Sequence, residues 1–206
     1  MNDKLLSEEM SARLLSFSRP KKLTFLLLLY ERMIPELRSF CRAQSRDFSI
    51  FQRDREEFWR FLADGHSSRS WPQLTEDILG ATPDSDEFGT LEGSFALNAG
   101  LVAAEIAGFI ADGQNSHIVD AASYAFDSLD FKIGSEPDIV FDDPTAMEYV
   151  DDYVMAHPFA KRERQTEEED VSLLATLPDA AWPAHTVAML RHRAESRQGL
   201  LSAVTT

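Results

Sequence analysis

The chain has 206 residues, of which 35 are Asp or Glu and 20 are Lys or Arg, giving a net charge of −15. With 44% hydrophobic and 10% aromatic residues it can fill the core of one domain, which excludes global disorder. A lone cysteine, Cys41, excludes an internal disulfide and a cysteine-based zinc cluster, and the acidic balance argues against a general nucleic-acid binder.

Apolar residues recur at three- and four-residue steps nearly throughout, the spacing of helices. Leu5, Leu6, Met10, Leu14 and Leu15 mark the first. Pro20 suits a helix start, and from it to about Gln44 runs the stripe Leu23, Leu27, Tyr30, Ile34, Leu37, Cys41. Phe25, Leu28 and Leu29 add a second apolar face, so this helix is expected to be buried on most sides and kinked at Pro35. A third helix, about Asp47 to Asp64, sets Phe51, Phe58, Phe61 and Leu62 against Arg53, Asp54, Glu56 and Glu57. Gly65 to Gln73 reads as a loop, Leu74 to Leu79 as a short helix, and Ala81 to Gly89 as a turn in which Asp84 or Ser85 caps the next helix.

That helix, about Asp86 to Asp112, carries large residues on one face and Ala96, Ala99, Gly100, Ala103 and Ala107 on another. Such a helix belongs in the centre of a bundle, and Gly113 ends it. A further helix follows Ser116. After Ile133 comes a loop, then helices from about Pro144, Pro158 and Pro183. The fold class is therefore all-α: a single domain of roughly eight helices over residues 1–199, with a frayed tail at 200–206. The start MNDKLLSEEM has acid where a signal peptide needs positive charge, and the longest apolar run, Leu23 to Tyr30, is too short to cross a bilayer. The expected location is the cytoplasm, with no membrane partner.

The charge is unevenly placed. Residues 1–64 hold 12 basic and 10 acidic side chains, and residues 161–206 hold 6 and 7. Residues 65–160 hold 18 acids against only Arg69 and Lys132. Candidates for an acidic binding face are Asp84, Asp86, Glu87, Asp138, Asp142, Asp143, Glu148, Asp151 and Asp152.

Catalytic motifs are missing. There is no H-E-x-x-H, G-x-S-x-G, P-loop or G-x-G-x-x-G. His185, His192 and Glu195 could in principle hold a metal, but a polar helix face is the favoured reading; no metal and no cofactor is expected. Cys41 falls on an apolar stripe and reads as a core residue. Asn98 and Glu105 are seven apart on the central helix, among Phe, Leu and Val. A buried carboxylate needs a partner, and Arg32 is the expected counter-ion, making Arg32, Asn98 and Glu105 a structural polar set.

The stretch LTFLLLLYERMIPELRSF, with Glu31-Arg32-Met33 and Pro35, resembles the signature of the YjaG-like bacterial family, domain of unknown function 416. The resemblance continues through Pro83, Asp86, Glu87 and Phe88, along the central helix to Gly113, and again at Pro158, Glu163, Glu169, Leu190 and Arg191. It implies a bacterial, all-helical domain and no chemistry.

Functionally, the chain reads as a non-catalytic acidic binding protein. An immunity or antitoxin protein that neutralises a basic, nuclease-like toxin fits this reading. The alternatives are a hydrolase using Glu105 with Asp127 or Asp130, and a dimeric regulatory adaptor anchored by Trp59, Trp71 or Trp182. The expected partner is a basic protein, with a homodimer admissible and nucleic acid excluded.

Overall fold

The computed structural model describes residues 5–84, 86–136, 150–179, 182–197 and 199–202, with the side chains of Val150 and Asp151 outside that description. Among the described residues there are nine helices and no strand: α1 (Glu8–Ser16), α2 (Arg19–Ala43), α3 (Ser49–Asp64), α4 (Trp71–Ala81), α5 (Leu91–Asp112), α6 (Ser116–Gly134), α7 (Val150–Ala156), α8 (Pro158–Thr176) and α9 (Ala184–Ser196). The expected all-α bundle is what forms.

Two apolar helices make its centre. Every residue of α2 from Leu23 to Ile34 is buried, which is more than one stripe can supply and requires neighbours on all sides. The helix continues through Pro35. α5 is the other axis and packs against α2, α4 and α6. By length and composition it could cross a membrane, but two thirds of its most apolar stretch is covered by the rest of the fold. Its small face does what its composition suggests. A Cβ on Gly100 would come within 2.3 Å of the Thr82 hydroxyl, so the absent side chain lets the end of α4 close onto α5.

The ends of α5 are closed by chemistry. Thr90 caps the start, its hydroxyl accepting the N–H of Gly93 at 3.1 Å. The helix thus begins five residues later than the Asp86 expected, and Phe88 lies before it. Gly113 takes the left-handed conformation (φ 74°) and donates to the Phe109 carbonyl. Arg19, from the first turn of α2, donates to the carbonyls of Phe109 and Ile110, placing a cation where the helix dipole is negative. α4 is longer than expected because Pro72 in its first turn allows it to start at Trp71.

The frayed tail is a second correction, for residues 200–202. Leu200 is buried and its N–H donates to the Arg32 carbonyl at 2.7 Å, one turn before Pro35. Arg162 of α8 donates to the carbonyls of Gly199, Leu200 and Ser202. The Leu201 N–H meets the Glu36 carboxylate, and burial pushes that carboxyl up to about 7. Residues 203–206, like 144–149 of the expected seventh helix, lie outside the described residues.

The close packing at Gly100 has a direct consequence. Gly100→Ala should lower the free energy of urea unfolding by about 1–3 kcal/mol through overpacking against Thr82. Gly80→Ala, with open space around it, should instead raise stability by a few tenths of a kcal/mol to about 1. Equal effects at the two sites would contradict this account of the α4–α5 contact.

Candidate functional site

Burying α2 on all sides forces Glu31 and Arg32 inward, and each finds partners on a different neighbour. Glu31 accepts from Arg55 Nε and from the indole N–H of Trp59, both at 2.7 Å. Arg55 continues to Glu195 on α9 at 2.8 Å, which Arg191 also holds at 3.0 Å. Arg32, 2% exposed, donates through Nε to Glu163 at 2.7 Å and through Nη1 to Asp170 at 2.9 Å, both on α8. Asp170 also accepts from Arg193 of α9 at 3.1 Å. Burial alone would lower the Arg32 pKa, but Glu163, Asp170 and Glu167 more than offset it and hold the guanidinium above its ordinary value. Glu163, Glu167 and Asp170 follow at steps of four and three, so they lie on one buried face of α8.

This overturns the expected Arg32–Glu105 pair. Glu105 is bound instead to His117, the second residue of α6, at 2.5 Å from Nδ1, while His117 Nε2 faces Asp112 at 3.1 Å. The imidazole fits because residue 108 is glycine: a Cβ there would lie 2.5 Å from the ring. Glu105 is therefore partly solvated, with 19% of its side chain exposed, and not sealed in the core. Desolvation raises its pKa and the His117 contact only partly counters this. For His117 burial acts downward, but its hydrogen bonds to the Glu105 and Asp112 carboxylates prevail and the pKa is raised. Asn98 is buried as expected; its amide donates to the Ser128 hydroxyl on α6 at 3.0 Å.

The acids divide into several groups. Asp84, Asp86 and Glu87 share the exposed loop before α5, with Glu87 3.6 Å from Arg46. Asp152 is exposed on α7; Asp138, Asp142, Asp143, Glu148 and the Asp151 side chain lie outside the described residues. Asp127 and Asp130, named from the sequence only as hydrolase candidates, lie on α6, where Asp120, Tyr124, Asp127 and Phe131 form one stripe with Asp130 beside it. Burial raises the Tyr124 phenol, and the negative charges of Glu105, Asp120 and Asp127 push it the same way. Phe131 is 44% exposed at the end of the stripe. The helical period of α6 could have revealed this face, since its acids recur at steps of seven and three.

The other sequence candidates become structural. Glu195, once a conceivable metal ligand with His185 and His192, is taken by two arginines. Among the described residues no three His, Cys, Asp or Glu side chains gather as a metal site requires. Cys41 is buried, and burial pushes its thiol up, away from the reactive thiolate. Trp59 and Trp182 are buried and Trp71 is half-buried, so none is an exposed anchor.

Two outcomes are expected. Arg32→Met strands Glu163 in the core and leaves Asp170 with Arg193 alone, and should cost about 3–5 kcal/mol of unfolding free energy, whereas a loss below about 1 kcal/mol would refute the role given to Arg32. His117 binds its proton more tightly folded than unfolded, so its stabilisation is complete below its ordinary value of 6.5 and is lost as pH rises through the raised folded value. The thermal midpoint of the wild type should therefore exceed that of His117→Asn most at mildly acidic pH, and the gap should narrow on going alkaline. A gap that widens with pH would refute the charged-imidazole arrangement.

A crystallised DUF416 family protein from Shewanella baltica OS155 shares the fold, with a TM-score of 0.77 at 20% identity over 89% of this chain and 92% of that one. No curated protein matches the sequence. The family described as "Protein of unknown function (DUF416)" matches residues 9–199. A match over that span settles the kinship that the Glu31-Arg32-Met33 stretch suggested: the chain belongs to the DUF416 family.

Proposed function

We propose that this protein is a non-catalytic binding protein whose acidic α5–α6 face engages a basic protein partner in the cytoplasm. The observation that carries the reading is the run of acids Asp120, Asp127 and Asp130 along α6, with Glu105 and Asp112 gathered on His117 at its start and only His117 and Lys132 as positive groups on that helix. Phe131 adds an exposed apolar group beside the acids, the combination of anchor and steering charge that protein interfaces use. Such a face repels phosphate backbones and anionic lipid, so neither nucleic acid nor membrane is a partner in this reading. A homodimer through this face would set like charges opposite one another. An immunity or antitoxin protein opposing a basic, nuclease-like toxin is the biological form that fits the charge best.

The hydrolase alternative is less well supported. Glu105 is committed to His117, and both imidazole nitrogens face carboxylates, which leaves no ring nitrogen to serve as a general base.

The test compares the wild type with a variant carrying Asp120→Lys, Asp127→Lys and Asp130→Lys as bait in pull-downs at low and high salt. A basic protein should be retained by the wild type at low salt, released as salt rises, and not retained by the variant. Retention that is indifferent to both salt and charge reversal would overturn the proposal.

A further inference from the structure

Apart from the α6 acids, the fold carries a groove lined mainly by α3. Ser49, Gln52, Arg53, Glu57 and Arg60 fall at helical steps along one stripe, and the loop after the helix folds back over it with Ser68 and Arg69. The space between them is about 740 Å³, within the range of about 300–1,000 Å³ of sites for small molecules.

Three guanidiniums line this groove in a protein of net charge −15. Two are fixed by the fold. Arg69 bonds Asp54 at 2.5 Å and Asp77 at 3.3 Å, which pins the loop against α3 and α4. Arg60 bonds one oxygen of Glu57. The third, Arg53, is exposed and has no ion pair among the described residues. Glu56, also on the rim, is held from α9 by Arg191, with one bond of 2.7 Å, so its charge is answered outside the groove. The groove therefore offers planar, multi-donor cations suited to an oxyanion.

A second, independent observation concerns Glu57. Its side chain is 6% exposed; Oε2 is bonded to Arg60, while Oε1 is buried and has no hydrogen-bond partner among the described residues. A buried carboxylate oxygen left unmatched is costly, and a ligand N–H would satisfy it.

We propose that this groove binds a small molecule carrying an oxyanion, phosphate or carboxylate, together with an ammonium or amine. The oxyanion meets Arg53 and the accessible edges of Arg60 and Arg69, the nitrogen pairs with the Glu57 carboxylate, and Ser49, Gln52 and Ser68 supply neutral hydrogen bonds. This site is separate from the α6 face, and neither reading depends on the other.

Calorimetric titration of the full chain at low ionic strength tests it with two matched pairs: phosphoethanolamine against methyl phosphate, and β-alanine against propionate. In one pair or both, the amine-bearing probe should bind about ten-fold more tightly, the worth of one charge-assisted hydrogen bond. The preferring pair identifies the oxyanion. Arg53→Ala should weaken that binding about ten-fold and leave the thermal midpoint unchanged, because Arg53 is exposed and holds no ion pair among the described residues. Glu57→Gln should erase the preference for the amine. Absence of heat from all four probes at millimolar concentration, no preference in either pair, or undiminished binding by Arg53→Ala would overturn the proposal. Should Glu57→Gln fail to fold, the exposed Arg53 variant decides alone.

Discussion

The structure depends on a cation placed where water cannot reach it. Arg32 sits on a helix buried all round, and an unpaired guanidinium there would prevent folding. Glu163 and Asp170 of α8 answer it, and Asp170 in turn draws in Arg193 of α9. Glu31, one residue earlier, points to α3 and binds Arg55 and Trp59. Adjacent residues on a helix face directions about 100° apart, so this dipeptide fixes the positions of α3 and α8 around α2 together. Hydrophobic burial draws these helices inward without direction; the two ion-pair systems select the register in which they meet. The Shewanella baltica homologue keeps the overall arrangement at 20% identity, as expected when helix packing governs the fold more than individual surface residues.

Helix positions were legible in the sequence because a helix shows its buried face at a local period. α2, α5, α8 and α9 could all be read from apolar spacing, proline starts and the Gly113 stop. Partnerships between helices were not legible. Arg32 and Glu163 are 131 residues apart, and nothing local joins them. Glu105 was assigned to Arg32 because both lie on apolar helices, yet its partner His117 is only 12 residues away, beyond a turn at Gly113. The clue was present in Gly108, a missing side chain one turn after Glu105, but its meaning requires knowing how the α5–α6 turn folds. The tail was misjudged for a related reason. A segment as short as Gly199 to Ser202 carries little period, and the Arg162 side chain that fixes it bonds backbone carbonyls, which leave no trace in side-chain pattern.

Net charge conceals three different fates of acidic residues. On α8, Glu163, Glu167 and Asp170 are buried and serve the core. Around α2, α3 and α9, Glu31, Glu56 and Glu195 are each bound by arginines. On α6, Asp120, Asp127 and Asp130 lie on a helix whose only other charged groups are His117 and Lys132. The excess negative charge therefore belongs to the middle of the sequence, residues 65–160. The arginines follow the complementary pattern: most are consumed by structural pairing, whereas Arg53 on α3, without an ion pair among the described residues, gives the groove its character.

The Glu105–His117–Asp112 cluster shows why residue types alone misdirect a functional reading. A histidine between two carboxylates looks like part of a catalytic relay. A relay, however, needs one ring nitrogen turned toward a nucleophile or substrate, and here both are turned toward acids. The second carboxylate therefore changes the consequence. It favours the charged imidazolium, so the cluster is stable while His117 is protonated and weakens as the proton leaves. That places a titratable clasp at the turn joining α5 to α6, at the start of the helix that carries the acids. Protonated His117 offsets part of their repulsion, and its loss of charge leaves the face both more negative and less firmly held. The strength of the acidic field and the rigidity of the helix that displays it are thus coupled through one side chain.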